Sequence, residues 1–290
     1  MKNIQWGLFI FTGSLLAACG GGSGDDGNNN GLTVPAGAVT ITSGNAVTTG
    51  STSADVAVSA PSAIKNANIT GGITLTQPSS LLSTTDLVLA LRKQLSSNAG
   101  SLTEQAVVSG IEINESCDFG GSISGTYEET ATRTNGTVKF NDCKLFSSNE
   151  TGLNGSLIID FQEQSNADYS AKISGNFSFG IPEYPNISYQ GLDFSATGND
   201  DTGDYSIRVD VAVSGIPGGG FLFQTTQNFT GNDNSRPDCP TAGQFLVTGA
   251  EGTQLRATSA GTEVTVEFND GSGTFVEVAA SPVDCTEIYD

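Results

Sequence analysis

The sequence predicts a mainly all-β protein, an antiparallel meander of about 10–13 strands that forms a curved sheet or a sandwich- or barrel-like body. Three observations predict it. From about residue 105 onward the apolar residues fall at period two, most clearly at Tyr205, Ile207, Val209, Val211 and Val213, with Ser206, Arg208 and Asp210 between them. Period two is the side-chain period of a half-buried strand. Turn-forming residues recur along the same region, at Asn135-Gly136, Asn154-Gly155, Gly198-Asn199-Asp200, Gly218-Gly219-Gly220 and Gly231-Asn232-Asp233, which is the punctuation of a meander. Charged residues make up only 14% of the chain, so the polar faces of these strands must be built from Ser, Thr, Asn and Gly.

Taken in order, the chain opens with Met1-Lys2, an apolar run through Trp6 and Phe11, and Leu16-Ala17-Ala18-Cys19 followed by Gly20-Gly21-Gly22. The apolar stretch is shorter than the roughly 20 residues of a spanning helix, which favours a cleaved signal. The motif resembles a bacterial lipobox, with an ordinary signal peptide and an incidental cysteine as the alternative. The resemblance implies that residues 1–18 are removed as a signal peptide and that Cys19 carries a diacylglycerol. Two acyl chains anchor stably where one binds marginally. Gly20, in place of Asp, implies by resemblance to proteobacterial lipoproteins an outer-membrane address, with the periplasmic face and the cell surface both open. Residues 19–31 read as a flexible tether with a reach on the order of 20 Å.

Residues 32–104 read as an N-terminal arm and a helix. Val39-Thr40-Ile41-Thr42, Ala54-Asp55-Val56-Ala57-Val58 and Ile73-Thr74-Leu75 have strand character. The helix is expected at 84–97, where Ser83 and Asp86 resemble a capping box and Leu87, Leu91 and Leu95 form an apolar stripe.

The β body is expected over 105–290, packed with the helix as one domain. Its strands are expected around Ile111 and Ile113, Ser122–Arg133, Val138 and Phe140, Leu157 to Phe161, Tyr169 to Ile173, Ile187 to Phe194, Tyr205 to Val213, Phe221 and Phe223, Phe245 and Val247, Leu255 and Ala257, and a final hairpin. That hairpin runs from Val264 to Phe268 and from Phe275 to Val278, around Asn269-Asp270-Gly271-Ser272-Gly273. Cys117-Asp118-Phe119-Gly120-Gly121-Ser122, Phe140-Asn141-Asp142-Cys143 and Leu153-Asn154-Gly155-Ser156-Leu157 are similar to motifs of a group of uncharacterised proteobacterial β-rich lipoproteins. The resemblance implies a β-rich envelope protein with an Asn-Gly-Ser hairpin, and it carries no activity. A membrane-embedded barrel is disfavoured by the lack of paired aromatic girdles.

Composition excludes several function classes. The chain has 31 acidic and 11 basic residues, a net charge of −20, which argues against nucleic acid, because phosphate binding needs a basic footprint. It contains no histidine, which removes Ser-His-Asp and Cys-His catalysis and the usual catalytic zinc sites. With Cys19 assigned to lipid, Cys117, Cys143, Cys239 and Cys285 remain, an even set that in an exported chain implies two disulfides. Four cysteines allow three connectivities. Cys117–Cys143 and Cys239–Cys285 are the expected pairs because each closes a compact segment of a few strands.

No motif carries a catalytic set or implies a cofactor. Asp201-Thr202-Gly203 matches the aspartic-protease triplet, but its polar flanks read as a turn entering the strand at Tyr205. Asp200, Asp201 and Asp204, with Asp233 and Asp238, are weak oxygen-ligand candidates for calcium, without the twelve-residue loop spacing that ends in Glu. Gly218-Gly219-Gly220 is followed by neither lysine nor a helix start, so it is no phosphate loop. The paired carboxylates of a glycosidase are not singled out among the acidic residues. The function expected is therefore a non-enzymatic, lipid-anchored envelope protein with a structural or ligand-binding sheet. Its partners would be the membrane through Cys19 and an apolar ligand, a glycan or another envelope protein. A helix over a curved sheet resembles the folds of periplasmic lipoprotein carriers, which implies an acyl-chain ligand; an adhesin or glycan binder and a carboxylate-dependent hydrolase are the alternatives.

Overall fold

A computed structural model describes residues 31–57, 108–130, 132–144, 151–163, 167–181, 184–216, 218–232 and 239–289. The chain divides after Asn30, and Gly31–Asp290 is one compact unit. The body is a single open antiparallel sheet in which each strand pairs with its sequence neighbours. The strands are β1 (Val108–Ser116), β2 (Ser122–Thr130), β3 (Arg133–Cys143), β4 (Thr151–Glu163), β5 (Asp168–Ile181) and β6 (Tyr184–Asn199). They continue as β7 (Asp204–Ser214), β8 (Phe221–Asn232), β9 (Ala242–Thr248), β10 (Gln254–Ala260), β11 (Glu263–Asn269) and the short β12 (Val276–Glu277). A thirteenth strand, β13 (Val283–Asp284), pairs with β11 beside β12.

Alternation sets the two faces. Ile207, Val209, Val211 and Val213 of β7 meet Phe229, Phe223 and Phe221 of β8, and Phe245 and Val247 of β9, on one buried face. Burying each such side chain contributes about 1.5–3 kcal/mol. Stacked and edge-on rings knit this inner face: Phe177 on Tyr189 at 4.4 Å, Phe223 on Phe245 at 4.9 Å, and Tyr289 edge-on to Phe229 at 6.0 Å. Among the described residues, helices α1 (Ala46–Ala57) and α2 (Thr286–Tyr289) pack on each other, and α1 lies against β7, β8, β10 and β11.

Helix α1 corrects the strand reading of Ala54–Val58, as far as Ala57. Its buried residues are Ala46, Gly50, Ser53, Ala54, Val56 and Ala57, and all but Val56 fall at the spacing of one helical face. Small residues are required there, because a Cβ on Gly50 would stand 3.1 Å from the Leu255 side chain. Ahead of it, Val39–Thr42 is not a strand but an extended arm tied to the sheet ends. Ala38 bridges to Gly220, Ala250 N–H donates to the Val39 carbonyl, and Ile41 N–H donates to Thr253 Oγ1. The helix expected at 84–97 and the strand at Ile73–Leu75 lie outside the described residues.

Two of the expected turns are also corrected. Asn135-Gly136 sits inside β3 and Asn154-Gly155 inside β4, while the β2–β3 connection falls at 131–132, so Ser122–Arg133 is not one strand and no hairpin turns at Asn154-Gly155-Ser156. The reason is packing of aromatic against glycine. Gly136 is opposite Tyr127, and Gly155 lies between Phe140 and Phe177. Tyr205 lies between Gly198 and Gly231, and a Cβ at Gly231 would land on the Tyr205 ring. Glycine across from an aromatic leaves the ring its space and lets the sheet coil.

A double-mutant cycle tests this packing. Gly231→Ala is expected to lower the unfolding free energy by about 1–3 kcal/mol, and in a Tyr205→Ala background the same change is expected to cost far less. Urea unfolding of the four proteins reads the coupling; equal costs in both backgrounds would remove the argument.

Candidate functional site

The cysteines close two points of the sheet. Cys117 is bonded to Cys143, joining the end of β1 to the end of β3 across the Phe119–Gly121 turn, and Cys239 is bonded to Cys285, joining the entry of β9 to the start of α2. All four are buried. In α2, the Tyr289 hydroxyl lies 2.6 Å from Ser259 Oγ, and burial pushes its phenol up.

The calcium candidates Asp200, Asp201 and Asp204 fall in or beside one turn, which engages the Asp204 carboxylate. Asn199 Oδ1 accepts the N–H groups of Asp201 and Thr202, and Gly203 N–H donates to the Asn199 carbonyl. Asp201-Thr202-Gly203 is therefore the turn between β6 and β7. Asn232 Nδ2 and Thr202 Oγ1 donate to the Asp204 carboxylate at 2.7 and 2.8 Å, and these bonds hold it below the usual carboxylate range. Asp200 is in the same turn, while Asp233 and Asp238 lie outside the described residues. Among the described residues no group of three or more His, Cys, Asp or Glu side chains is placed to hold a metal ion.

The fold does bring two carboxylates together that spacing did not reveal, Asp193 of β6 and Asp210 of β7, which are register partners. Asp210 is only 1% exposed. Its Oδ2 accepts from Arg208 at 2.6 Å and its Oδ1 from Thr225 N–H at 2.9 Å, where a bulge opens β7 against β8. Thr225 Oγ1 in turn bonds both the N–H and the carbonyl of Val209. The Asp210 oxygens are thus committed to holding the bulge.

The face opposite the core is polar, and its two halves differ. Over β8–β11 the side chains bond one another: Thr226 Oγ1 to Gln244, Gln244 Nε2 to Thr258, Asn269 to Gln254, and Arg256 in a fork to both oxygens of Glu267. Over β1–β6 Arg133 makes a similar fork to Asp160, and many other polar side chains are exposed and line shallow grooves. One groove, of about 610 Å³, runs over Glu112, Asn114, Ser124, Thr126, Thr137 and Lys139; a second, of about 520 Å³, over Asn154, Asn176, Ser178, Ser188 and Gln190. No sequence motif marks them, because they exist only once the strand register is set. No protein-family model, curated protein or solved structure matches this chain.

Two predictions follow the electrostatics. Asp210→Ala leaves Arg208 and the Thr225 N–H without their acceptor and is expected to cost about 2–4 kcal/mol in denaturant unfolding. A loss below 0.5 kcal/mol, roughly the level of an ordinary surface change, would show that the bulge does not depend on it. The Arg256 fork holds the Glu267 carboxyl below its usual range. The folded state therefore takes up that proton less readily than the unfolded chain. Its contribution is full above about pH 5 and is lost as pH falls through and below the ordinary glutamate range near 4. The melting-temperature gap between wild type and Glu267→Gln is thus expected to be largest near pH 7 and to close toward pH 3; a constant gap would refute the assignment.

Proposed function

We propose that this chain is a lipid-anchored bacterial envelope protein whose β-sheet body is a non-enzymatic binding or structural module. The observation that carries the reading is the cysteine arrangement. The four cysteines of the compact unit are paired with each other and buried, which of the five cysteines leaves Cys19, within Leu16-Ala17-Ala18-Cys19, as the residue to carry the lipid. Two disulfides also suit an oxidising compartment, where they persist. The non-enzymatic reading rests on the absence of histidine from the sequence and on carboxylates engaged in turns, forks and a bulge.

Of the ligand classes, a polar one is favoured by a specific observation: the grooves over β1–β6 are lined mainly by hydroxyl, amide and charged side chains, whereas most of the described apolar side chains of the sheet, Ile158 and Val276 excepted, are buried. A glycan-binding role at the envelope is accordingly preferred to acyl-chain carriage.

Metabolic labelling with a clickable fatty acid tests the anchor. Label is expected on the wild-type chain, with an inhibitor of lipoprotein signal cleavage retaining residues 1–18, and no label is expected on Cys19→Ser. An unlabelled wild-type protein would overturn the anchor.

A further inference from the structure

We propose that the polar face of β1–β6 carries an extended binding site for a linear, uncharged polysaccharide lying across the strands. The inference rests on the reading of the sheet as a non-catalytic binding module, and it is independent of the lipid anchor. What carries it is a register that sequence alone does not display. Asn114 of β1 pairs with Ser124 of β2, Ser124 with Lys139 of β3, Lys139 with Ser156 of β4, and Ser156 with Asn176 of β5. A bulge between Gly175 and Phe177 then sets Asn176 against Gln190 and Gly191 of β6. Six hydrogen-bonding side chains therefore stand in one transverse row, spanning five strand spacings, or roughly 24 Å at about 4.8 Å each. Both grooves lie on this row: the first contains Asn114, Ser124 and Lys139, the second Asn176 and Gln190.

The row is available to a ligand. Ser156 is half-buried and the other five are exposed. Among the described residues the one hydrogen bond to these side chains is from Gly191 N–H to Asn176 Oδ1, 2.7 Å long. That bond fixes the Asn176 amide so that its NH₂ group remains to donate. In contrast, the equivalent positions on β8–β11 satisfy one another. Alongside the row runs a second, in which Thr126, Thr137 and Ile158 are register partners on β2, β3 and β4. Ile158 is 58% exposed and offers an apolar contact of the kind a pyranose C–H face accepts.

Charge selects the ligand class. Lys139 and Glu112 offset each other within the first groove, and the second groove is lined by uncharged residues. A chain of net charge −20 repels polyanions, and a peptide strand would seek a sheet edge and not its face. Hydroxyls and amides repeated at the strand spacing match a ligand that repeats hydroxyls along its own length.

Titration calorimetry on the full-length chain tests the proposal, using neutral linear oligosaccharides of four to six units and a polyuronate as the charged comparison. Neutral chains are expected to bind, with affinity rising with length. Asn114→Ala and Gln190→Ala, at the two ends of the row, are each expected to weaken binding by about 2- to 10-fold. Ser156→Trp at its centre is expected to abolish binding, while Thr265→Trp on the same face of β11 leaves it unchanged. No binding by any neutral chain, binding by the polyuronate alone, or indifference to Ser156→Trp in a protein that still melts cooperatively would overturn the site. If native mass spectrometry then shows a copurified apolar molecule, the module reading stands and the glycan site alone falls. Shortened saccharides after incubation would do the reverse, overturning the non-catalytic reading with the site in place.

Discussion

The structure depends on rings facing glycines across strand pairs. A sheet of this many strands must coil to keep one face out of water, since a flat one would leave its apolar side uncovered. Gly136 opposite Tyr127, Gly155 between Phe140 and Phe177, and the Tyr205 ring between Gly198 and Gly231 supply the room for that coiling. At Gly155 the need is stricter: its φ of +133° is one that L side chains rarely adopt, and an added Cβ would run into the Asn176 carbonyl. One of these glycines also reaches the other face: Gly155 lies in the lining of the second groove. A constraint imposed by the core thus shapes the polar surface as well.

Those glycines also explain where sequence reading succeeds and fails. Tyr205–Val213 is legible because apolar and polar residues alternate without interruption and no turn residue intrudes. Asn135-Gly136 and Asn154-Gly155 are not legible, because a turn and a ring-accepting strand position make the same demand for a residue without a side chain. Helix α1 is hidden for a different reason. Apart from Val56 its buried residues are the small Ala46, Gly50, Ser53, Ala54 and Ala57, which give little hydrophobic signal beside the β-branched Val and Thr of the segment. Propensity argues for a strand there, and tertiary packing prevails. The transverse row is illegible in principle, since it joins residues on six strands whose register only the folded sheet defines.

The paired cysteines stand between these cases. Their even number and compact loops are properties of the sequence, whereas their role is a property of the fold. Cys117–Cys143 ties the ends of two strands that flank β2, pinning the register from which the Asn114–Ser124–Lys139 run follows. A one-residue slip of any one of these strands would turn its member of the row toward the core and expose its apolar neighbours.

The termini of the compact unit reinforce this division of labour. The arm bonds to the sheet at Gly220, Ala250 and Thr253, helix α1 packs on α2, and Cys285 and Tyr289 hold α2 to Cys239 and Ser259. All of these contacts fall on β7–β11 and the loops that join them. That half of the sheet also satisfies its own outer polar groups through Thr226–Gln244–Thr258 and Arg256–Glu267. Over β1–β6 Arg133 and Asp160 form a fork of the same kind, but the side chains of the row do not bond one another. Leaving hydroxyls and amides hydrated costs the fold nothing, because water bonds them as well as a neighbour would. The bonds of the arm and of the two helices thus fall on β7–β11, while the exposed hydroxyls and amides of the row lie on β1–β6, where the Cys117–Cys143 disulfide and the Arg133–Asp160 fork hold the strands.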